Sequence, residues 1–235
     1  SHLRKRKMRH TKIVATLGPA SSDPATLERL LLAGVDVVRL NFSHGTADEH
    51  RARASLVRAL AQQTQRPVGI LGDLQGPKIR IGRFTTNAVT LSKGQRFRLD
   101  CDLAPGDATR VGLDYPELID DVEVGDILLL DDGKIRLQIV EKCADALITQ
   151  VLVGGTLSNH KGINKLGGGL SAPALTAKDR ADIALAAEIG VDYLAVSFVK
   201  HAEEMHEARH LARAAGSRAR LIAKIERVEA IANLD

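Results

Sequence analysis

The chain has 235 residues, of which 44% are hydrophobic, and a formal net charge of +4 that comes from its opening basic run of Arg4, Lys5, Arg6, Lys7 and Arg9. This size allows one or two domains. The cations of the opening run have no interleaved aromatic residues, which indicates a solvated terminus rather than a nucleic acid partner. Cys101 and Cys143 fit no zinc or disulfide pattern, and no apolar run is long enough to cross a bilayer, so we expect a cytoplasmic protein with no membrane partner.

The first third of the chain alternates between predicted strands and helices. In order, we predict a strand over 11–19 stopped by its Gly-Pro end, a helix capped by Ser22 or Asp23 and ended by Gly34, a strand over 35–42, a helix from Thr46 to about Gln65, and a strand over 68–71. This β-α-β-α-β order with short connections indicates a parallel sheet with helices outside it.

After Pro77 the pattern changes to short β-type runs separated by turn signals. We predict strands over 89–91, 96–99, 127–130, 135–140 and 147–152. Asp131-Asp132-Gly133 predicts a hairpin, and Gly167-Gly168-Gly169 predicts the hinge by which the chain returns. We therefore assign residues 78–171 to an inserted all-β lid domain, and residues 1–77 and 172–235 to the two parts of a barrel domain.

The α/β order resumes after the lid. We predict a helix capped by Thr176 and closed by Gly190, a strand over 193–199, a helix over 201–215 closed by Gly216, a strand over 221–225, and a helix opened by Glu226. Together with the three strands before the lid, these segments give five strands of one parallel sheet, whereas a closed (β/α)8 barrel has eight. The predicted fold class is therefore α/β, a partial (β/α)8 (TIM) barrel with an inserted all-β lid domain. Because its last strand would have unpaired backbone groups, we expect self-association or a partner segment.

Polar and charged side chains gather where three predicted strands end, which is where an α/β barrel places its chemistry. Alternation along the second strand puts Arg39, Asn41 and Ser43 on one face, and later strands run into Asp73 and into Lys224-Ile225-Glu226. Cations and carboxylates in this arrangement suit an anionic substrate beside a divalent metal. They could instead form structural ion pairs, Arg39 with Asp73 and Lys224 with Glu226.

Several longer motifs resemble those of the pyruvate kinase family. They occur in the family's order and spacing at residues 11–21, 38–45, 73–80, 154–155, 161–164, 197–198 and 223–226. The resemblance implies Mg²⁺-dependent (or Mn²⁺-dependent) phosphoryl transfer from phosphoenolpyruvate to ADP, which gives pyruvate and ATP in the last step of glycolysis. It also implies that the β module is a mobile lid and that the protein is a homo-oligomer, a homotetramer in the family.

The resemblance implies roles for individual residues. Arg39 and Lys224 match catalytic, substrate-binding positions, Ser197 matches a substrate-binding position, and Glu226 matches one of two carboxylate ligands of Mg²⁺. The nucleotide-contacting positions correspond to Asn41, His44, Arg80 and Lys161. The monovalent-cation site corresponds to Asn41, Ser43, Asp73 and the Leu74 carbonyl.

Lys78 departs from the pattern of many family members, which have a glutamate at this position and depend on K⁺. Lysine here resembles the K⁺-independent subgroup, in which an internal ammonium replaces the charge of the ion. We therefore expect no K⁺ requirement. Because the family's second metal-ligand aspartate and three barrel strands have no counterpart before Asp235, we expect the chain alone to be an incomplete, inactive fragment.

Other functions remain open to test. A phosphoenolpyruvate or pyruvate lyase on a similar barrel would share the metal and arginine, but the lid, Arg80 and Lys161 argue against it, and ADP binding would discriminate. A non-catalytic fragment that binds phosphate ligands is a second alternative. His206-Glu207-Ala208-Arg209-His210 matches a zinc-protease pattern, but both histidines lie opposite the apolar face of their helix, so we expect no functional zinc.

Overall fold

A computed structural model describes residues 10–234, which fall into two units; the basic run at the start of the sequence lies outside the described residues. One unit contains the chain up to Gly76 together with Ala174–Glu226, and the other contains Pro77–Pro173 together with the segment that begins at Arg227. No helix within the described residues has both the length and the hydrophobicity needed to cross a bilayer.

The first part of the first unit is a β-α-β-α-β series, as the sequence predicts. Its elements are β1 (Val14–Leu17), α1 (Pro24–Ala33), β2 (Val37–Asn41), α2 (Ala47–Gln63) and β3 (Gly69–Asp73). Local signals set the helix ends: the Asp23 carboxylate accepts the Thr26 N–H, and Gly34 ends α1 at a φ of 114°. Thr46 and Glu49 form a capping box at the start of α2.

The second unit is mostly β-structure. Its strands and its first helix are β4 (Ala88–Leu91), β5 (Arg96–Asp100), β6 (Arg110–Gly112), α3 (Leu118–Asp121), β7 (Ile127–Leu130), β8 (Ile135–Lys142), β9 (Ala146–Val153), β10 (Gly155–Ser158) and β11 (Ile163–Lys165). Six strands form a sheet in the order β11-β7-β8-β9-β5-β6, and β4 pairs with β10. The predicted hairpin is confirmed, because β7 and β8 are antiparallel and meet at Leu130 and Ile135.

The remaining elements complete the α/β series. They are α4 (Ala177–Glu188), β12 (Tyr193–Val196), α5 (Ala202–Ala214), β13 (Arg220–Ala223) and α6 (Val228–Ile231). The prediction that Glu226 opens the last helix is wrong, because α6 begins two residues later and belongs to the second unit. In that unit the Glu229 carboxylate accepts the Gly169 N–H at 2.6 Å, which ties the segment to the glycine-rich return.

The sheet of the first unit has five parallel strands in the order β1-β2-β3-β12-β13. Its outward-facing side chains, including Val38, Leu40 and Phe42, are buried in the same core cluster as residues of the helices. This sheet is part of a (β/α)8 barrel, and the predicted fold class is confirmed. At its two edges within the described residues, Val14 and Ile222 are 54% and 37% exposed.

A buried ion-pair network stabilises the second unit around Asp100 at the end of β5. Its carboxylate accepts hydrogen bonds from Arg110 Nη2 at 2.6 Å and from Arg98 Nε at 3.0 Å. Burial alone would raise the pKa of Asp100, but the hydrogen bonds from Arg110 and Arg98 outweigh it and lower the pKa below its ordinary value of 3.8. The ionised carboxylate therefore contributes to the stability of this unit.

We expect Asp100→Asn to lower the free energy of unfolding of the second unit by about 3 kcal/mol at neutral pH, because two guanidinium groups lose their charged partner. The pKa of Asp100 is depressed in the folded state, so its contribution is complete above the unfolded-state pKa and is lost as the pH falls through the folded-state pKa. Urea unfolding at pH 7 and pH 3 should show a mutant penalty that shrinks with acidification. Asp48→Asn, in an exposed pair with Arg51, should cost less than about 1 kcal/mol; a pH-independent penalty for Asp100→Asn would contradict the assignment.

Candidate active site

The Asp73 carboxylate lies at the centre of the charged residues at the carboxyl ends of the strands. It is 4% exposed. Arg39, on the neighbouring strand β2, donates from Nε to Asp73 Oδ2 at 2.7 Å, and its Nη2 lies 2.7 Å from the same oxygen. Lys224, which follows β13, places Nζ at 3.3 Å from Oδ1 and 3.4 Å from Oδ2. One buried carboxylate on β3 therefore holds two cations that come from strands on either side of β3 in the sheet order.

Ser197 connects this charge cluster to the backbone just after the end of β3. Lys224 Nζ donates to Ser197 Oγ at 3.0 Å, and Ser197 Oγ donates in turn to the Leu74 carbonyl at 2.7 Å. Ser197 is 2% exposed, so its hydroxyl is fixed by these two contacts. The arrangement orients the ammonium of Lys224 through three partners: Asp73, Ser197 and Glu226.

Glu226 is the second carboxylate of the cluster. Its Oε1 lies 3.4 Å from Lys224 Nζ, and its Oε2 accepts the Phe198 N–H at 3.1 Å. Its side chain is 34% exposed, and those of Arg39 and Lys224 are each 30% exposed. Both ion pairs considered as structural alternatives, Arg39 with Asp73 and Lys224 with Glu226, are therefore present. The cations are nevertheless accessible enough for a bound anion to reach them.

The strand-end loop, residues 41–45, follows β2 at the same edge of the sheet. Asn41 is the register partner of Asp73 on β3, and its Oδ1 accepts the Ser43 N–H at 3.0 Å. His44 closes the turn by donating its N–H to the Asn41 carbonyl at 3.2 Å. The residues that the sequence predicts for a monovalent-cation site, including Leu74, are therefore brought to one sheet edge.

The other predicted site residues, Lys78, Arg80 and Lys161, lie in the second unit. They line a cleft of about 250 Å³ together with Asp131, Asp132, Asn159, His160 and Gly162. Lys161 Nζ lies 3.3 Å from Asp131 Oδ1, and Arg80 Nη1 donates to the His160 carbonyl at 3.4 Å. Burial opposes ionisation of Asp131, but the hydrogen bonds from Lys161 and Lys134 lower its pKa. The cleft is polar and contains both signs of charge.

Sequence reasoning missed three residues that contact predicted site residues or the strand-end loop that carries them. Asp131 was interpreted only as part of a hairpin turn, although it pairs with Lys161. His50 and Lys178 hydrogen-bond the backbone of the strand-end loop. The capping box of α2 was a usable signal for His50, because it places that residue in the first turn of the helix directly after the loop.

Among the described residues of the charge cluster, Glu226 is the carboxylate that can hold a divalent metal. No group of three or more His, Cys, Asp and Glu side chains suited to a metal occurs in the part of the chain that the structure describes. Asp73 already faces two cations, whereas Glu226 has free lone pairs and partial exposure. Mg²⁺ is commonly bound by one or two carboxylates together with substrate phosphates and water, so a single glutamate is compatible with it. His206 and His210 are both exposed on α5, as predicted.

Comparison with known proteins assigns the chain to a family. Residues 8–235 match the family model described as pyruvate kinase, barrel domain. The chain is 53% identical over 230 residues to a pyruvate kinase of Haemophilus influenzae, with 97% of this chain and 48% of the relative covered. It is 55% identical over 228 residues to pyruvate kinase II of Salmonella typhimurium, with 96% of this chain and 48% of the relative covered.

More distant relatives show the same coverage. A pyruvate kinase of Methylorubrum extorquens is 44% identical over 230 residues, with 98% of this chain and 48% of the relative covered. The chain therefore spans about half the length of the curated relatives it matches.

Proposed function

Because the chain belongs to the pyruvate kinase family, we propose that the protein carrying it transfers the phosphoryl group of phosphoenolpyruvate to ADP and so produces pyruvate and ATP in glycolysis. The observation that carries this proposal is the convergence of Arg39 and Lys224, from two different strands, on the buried carboxylate of Asp73. Both cations keep part of their surface accessible at the carboxyl edge of the parallel sheet, where barrel enzymes bind their substrates.

Phosphoryl transfer depends mainly on positioning and on cations placed around the spreading negative charge. Asp73 fixes the guanidinium of Arg39 and the ammonium of Lys224 before any substrate arrives. In our proposal Arg39 binds the transferring phosphoryl group, and Lys224 stabilises the charge on the phosphoryl and enolate oxygens. Ser197 keeps the Lys224 ammonium in place. Fixed cations stabilise a transition state well because they need no reorganisation as charge develops.

Mg²⁺ (or Mn²⁺), when bound, would neutralise phosphate charge, and Glu226 is the described residue that would hold it. We assign the nucleotide to Asn41 and His44 in the first unit and to Arg80 and Lys161 in the second. Residues 78–171 would act as a lid domain that excludes water, with residues 1–77 and 172–235 in the barrel. A homo-oligomeric, tetrameric state, a cytoplasmic location and the absence of nucleic acid and membrane partners are parts of the same proposal.

Lys78 carries a finer proposal, that of a K⁺-independent enzyme. The charge of a monovalent cation near Asn41, Ser43, Asp73 and the Leu74 carbonyl would be supplied by the ammonium of Lys78. The support is the lysine at position 78, where the family resemblance implies glutamate in K⁺-dependent members. Potassium would then be unnecessary for activity.

Coupled turnover assays test the main proposal. The natural-length protein should form pyruvate from phosphoenolpyruvate only when both ADP and Mg²⁺ are present. A lyase would act without ADP, and a non-catalytic phosphate-binding protein would show binding without turnover. The isolated 235-residue chain, assayed in parallel, should show negligible turnover. ADP-independent consumption of phosphoenolpyruvate by the natural-length protein would exclude the proposed function.

We expect Lys224 and Glu226 to have different kinetic roles in the natural-length protein. Lys224→Ala should lower kcat by about a hundredfold or more with little change in substrate affinity, because its charge acts mostly in the transition state. Glu226→Ala should raise the Mg²⁺ concentration needed for activity, and high Mg²⁺ should restore part of the rate.

Two matched variants serve as controls for this experiment. Lys12→Ala and Glu188→Ala remove the same charges from exposed ion pairs with Asp36 and Arg51. Both variants should have the kcat and the Mg²⁺ dependence of the parent protein. If Lys224 and Glu226 formed only a structural ion pair, their two variants would instead behave alike and would lose ~1 kcal/mol or less of stability with chemistry intact.

Monovalent salts test the role of Lys78. The natural-length protein should be fully active without K⁺, because the ammonium supplies the required charge. Lys78→Glu should lower its activity and make the remaining activity respond to added K⁺. Lys93→Glu, which makes the same charge change at an exposed position of the second unit, should do neither. Strong stimulation of the unmodified protein by K⁺ would refute the role of Lys78.

A further inference from the structure

We propose that His50 and Lys178 are positioning residues, which fix the strand-end loop by hydrogen-bonding its backbone carbonyl groups. The proposal rests on the proposed function, since this loop carries Asn41, Ser43 and His44. Neither His50 nor Lys178 belongs to the residues assigned above to substrate, nucleotide or metal. Each acts on the loop from a different helix, His50 from α2 and Lys178 from α4.

The contact of His50 with the loop defines its tautomer. His50 Nε2 lies 2.8 Å from the His44 carbonyl oxygen. A carbonyl oxygen only accepts, so Nε2 must carry the proton and donate. The His50 residue is 3% exposed, and its Nδ1 is buried without a hydrogen-bond partner among the described residues. The Phe42 ring packs edge-on against the imidazole, with ring centroids 4.9 Å apart. The ring is therefore held on two sides in one orientation.

The surroundings of His50 favour the neutral ring that this hydrogen bond uses. Burial lowers the pKa of His50, although the hydrogen bond to the His44 carbonyl acts in the opposite direction. The charged groups facing it are Glu49 and Arg53 on its own helix, and Lys178 and Asp182 on α4. A second proton would fall on Nδ1, where no described acceptor meets it. The imidazole therefore serves as a neutral donor.

Lys178 holds a second carbonyl of the loop. Its Nζ donates to the Phe42 carbonyl oxygen at 2.6 Å and also pairs with Asp182 on the same helix. Gly45 follows with a φ of 83°, and a Cβ there would lie 3.0 Å from Glu49 Oε2. The loop is thus seated on the first turn of α2 and tied by two donors, one on each side of Ser43.

Loss of either donor should increase the mobility of the strand-end loop more than it lowers the stability of the whole protein. We expect His50→Met and Lys178→Met each to raise the KM for ADP by about three- to tenfold, with kcat changed by less than about twofold, as the loss of one hydrogen bond predicts. Hydrogen–deuterium exchange of peptides covering residues 41–46 should become faster. His50→Gln places an amide donor near the position of Nε2, so it should restore both properties to near the parent values.

His206→Gln is the matched control, because His206 is exposed on α5, and it should change neither property. If His50→Met does not fold, Lys178→Met, on an exposed side chain, and His50→Gln still decide the question. An unchanged KM and unchanged loop exchange in the Met variants, or a Gln variant as impaired as the Met variant, would overturn the positioning role. If the parent protein shows no ADP-dependent turnover, the proposed function fails instead, and loop exchange alone then decides whether His50 and Lys178 order the loop.

Discussion

The charge cluster of the first unit depends on a single carboxylate that is almost entirely removed from water. Burying Asp73 without compensation would be costly, and the protein compensates it with two cations from different strands, one of which, Lys224, is also held by the Ser197 hydroxyl. These partners come from β2 and from the turns after β12 and β13, so the cluster forms only when the parallel sheet is assembled. The fold and the position of the reactive cations are therefore coupled through one side chain.

Features with local causes were predictable from the sequence. The ends of α1 and α2 follow from an aspartate cap, a proline, a capping box and a terminal glycine, all of which act within a few residues. The hairpin at Asp131-Asp132-Gly133 is similar, because all three residues adopt positive φ angles, a region that glycine and aspartate occupy more readily than other residues. The charged residues at the strand ends were also identifiable, since strand alternation and barrel topology bring them together.

Features with non-local causes were not predictable. The short strands β6, β10 and β11 contain only three or four residues and exist through partners distant in sequence. Glu226 resembled a helix start, but its carboxylate accepts an N–H from Phe198 on the neighbouring strand end. Lys178 resembled an ordinary helix residue, but its ammonium donates to the Phe42 carbonyl, 136 residues earlier in the chain. In each case the deciding contact joins segments whose proximity exists only in the folded chain.

The ion pair between Lys161 and Asp131 has a consequence for selectivity. An anion that approaches Lys161 must compete with a carboxylate already 3.3 Å away. A singly charged ligand gains little from that exchange, because it replaces one charge by another of equal size. A ligand with several adjacent charges gains more, since it can satisfy Lys161 and still engage Arg80 in the same cleft. In the proposed nucleotide site, the pair between Lys161 and Asp131 would therefore favour ligands with several adjacent charges, and added salt would weaken that preference by screening both partners.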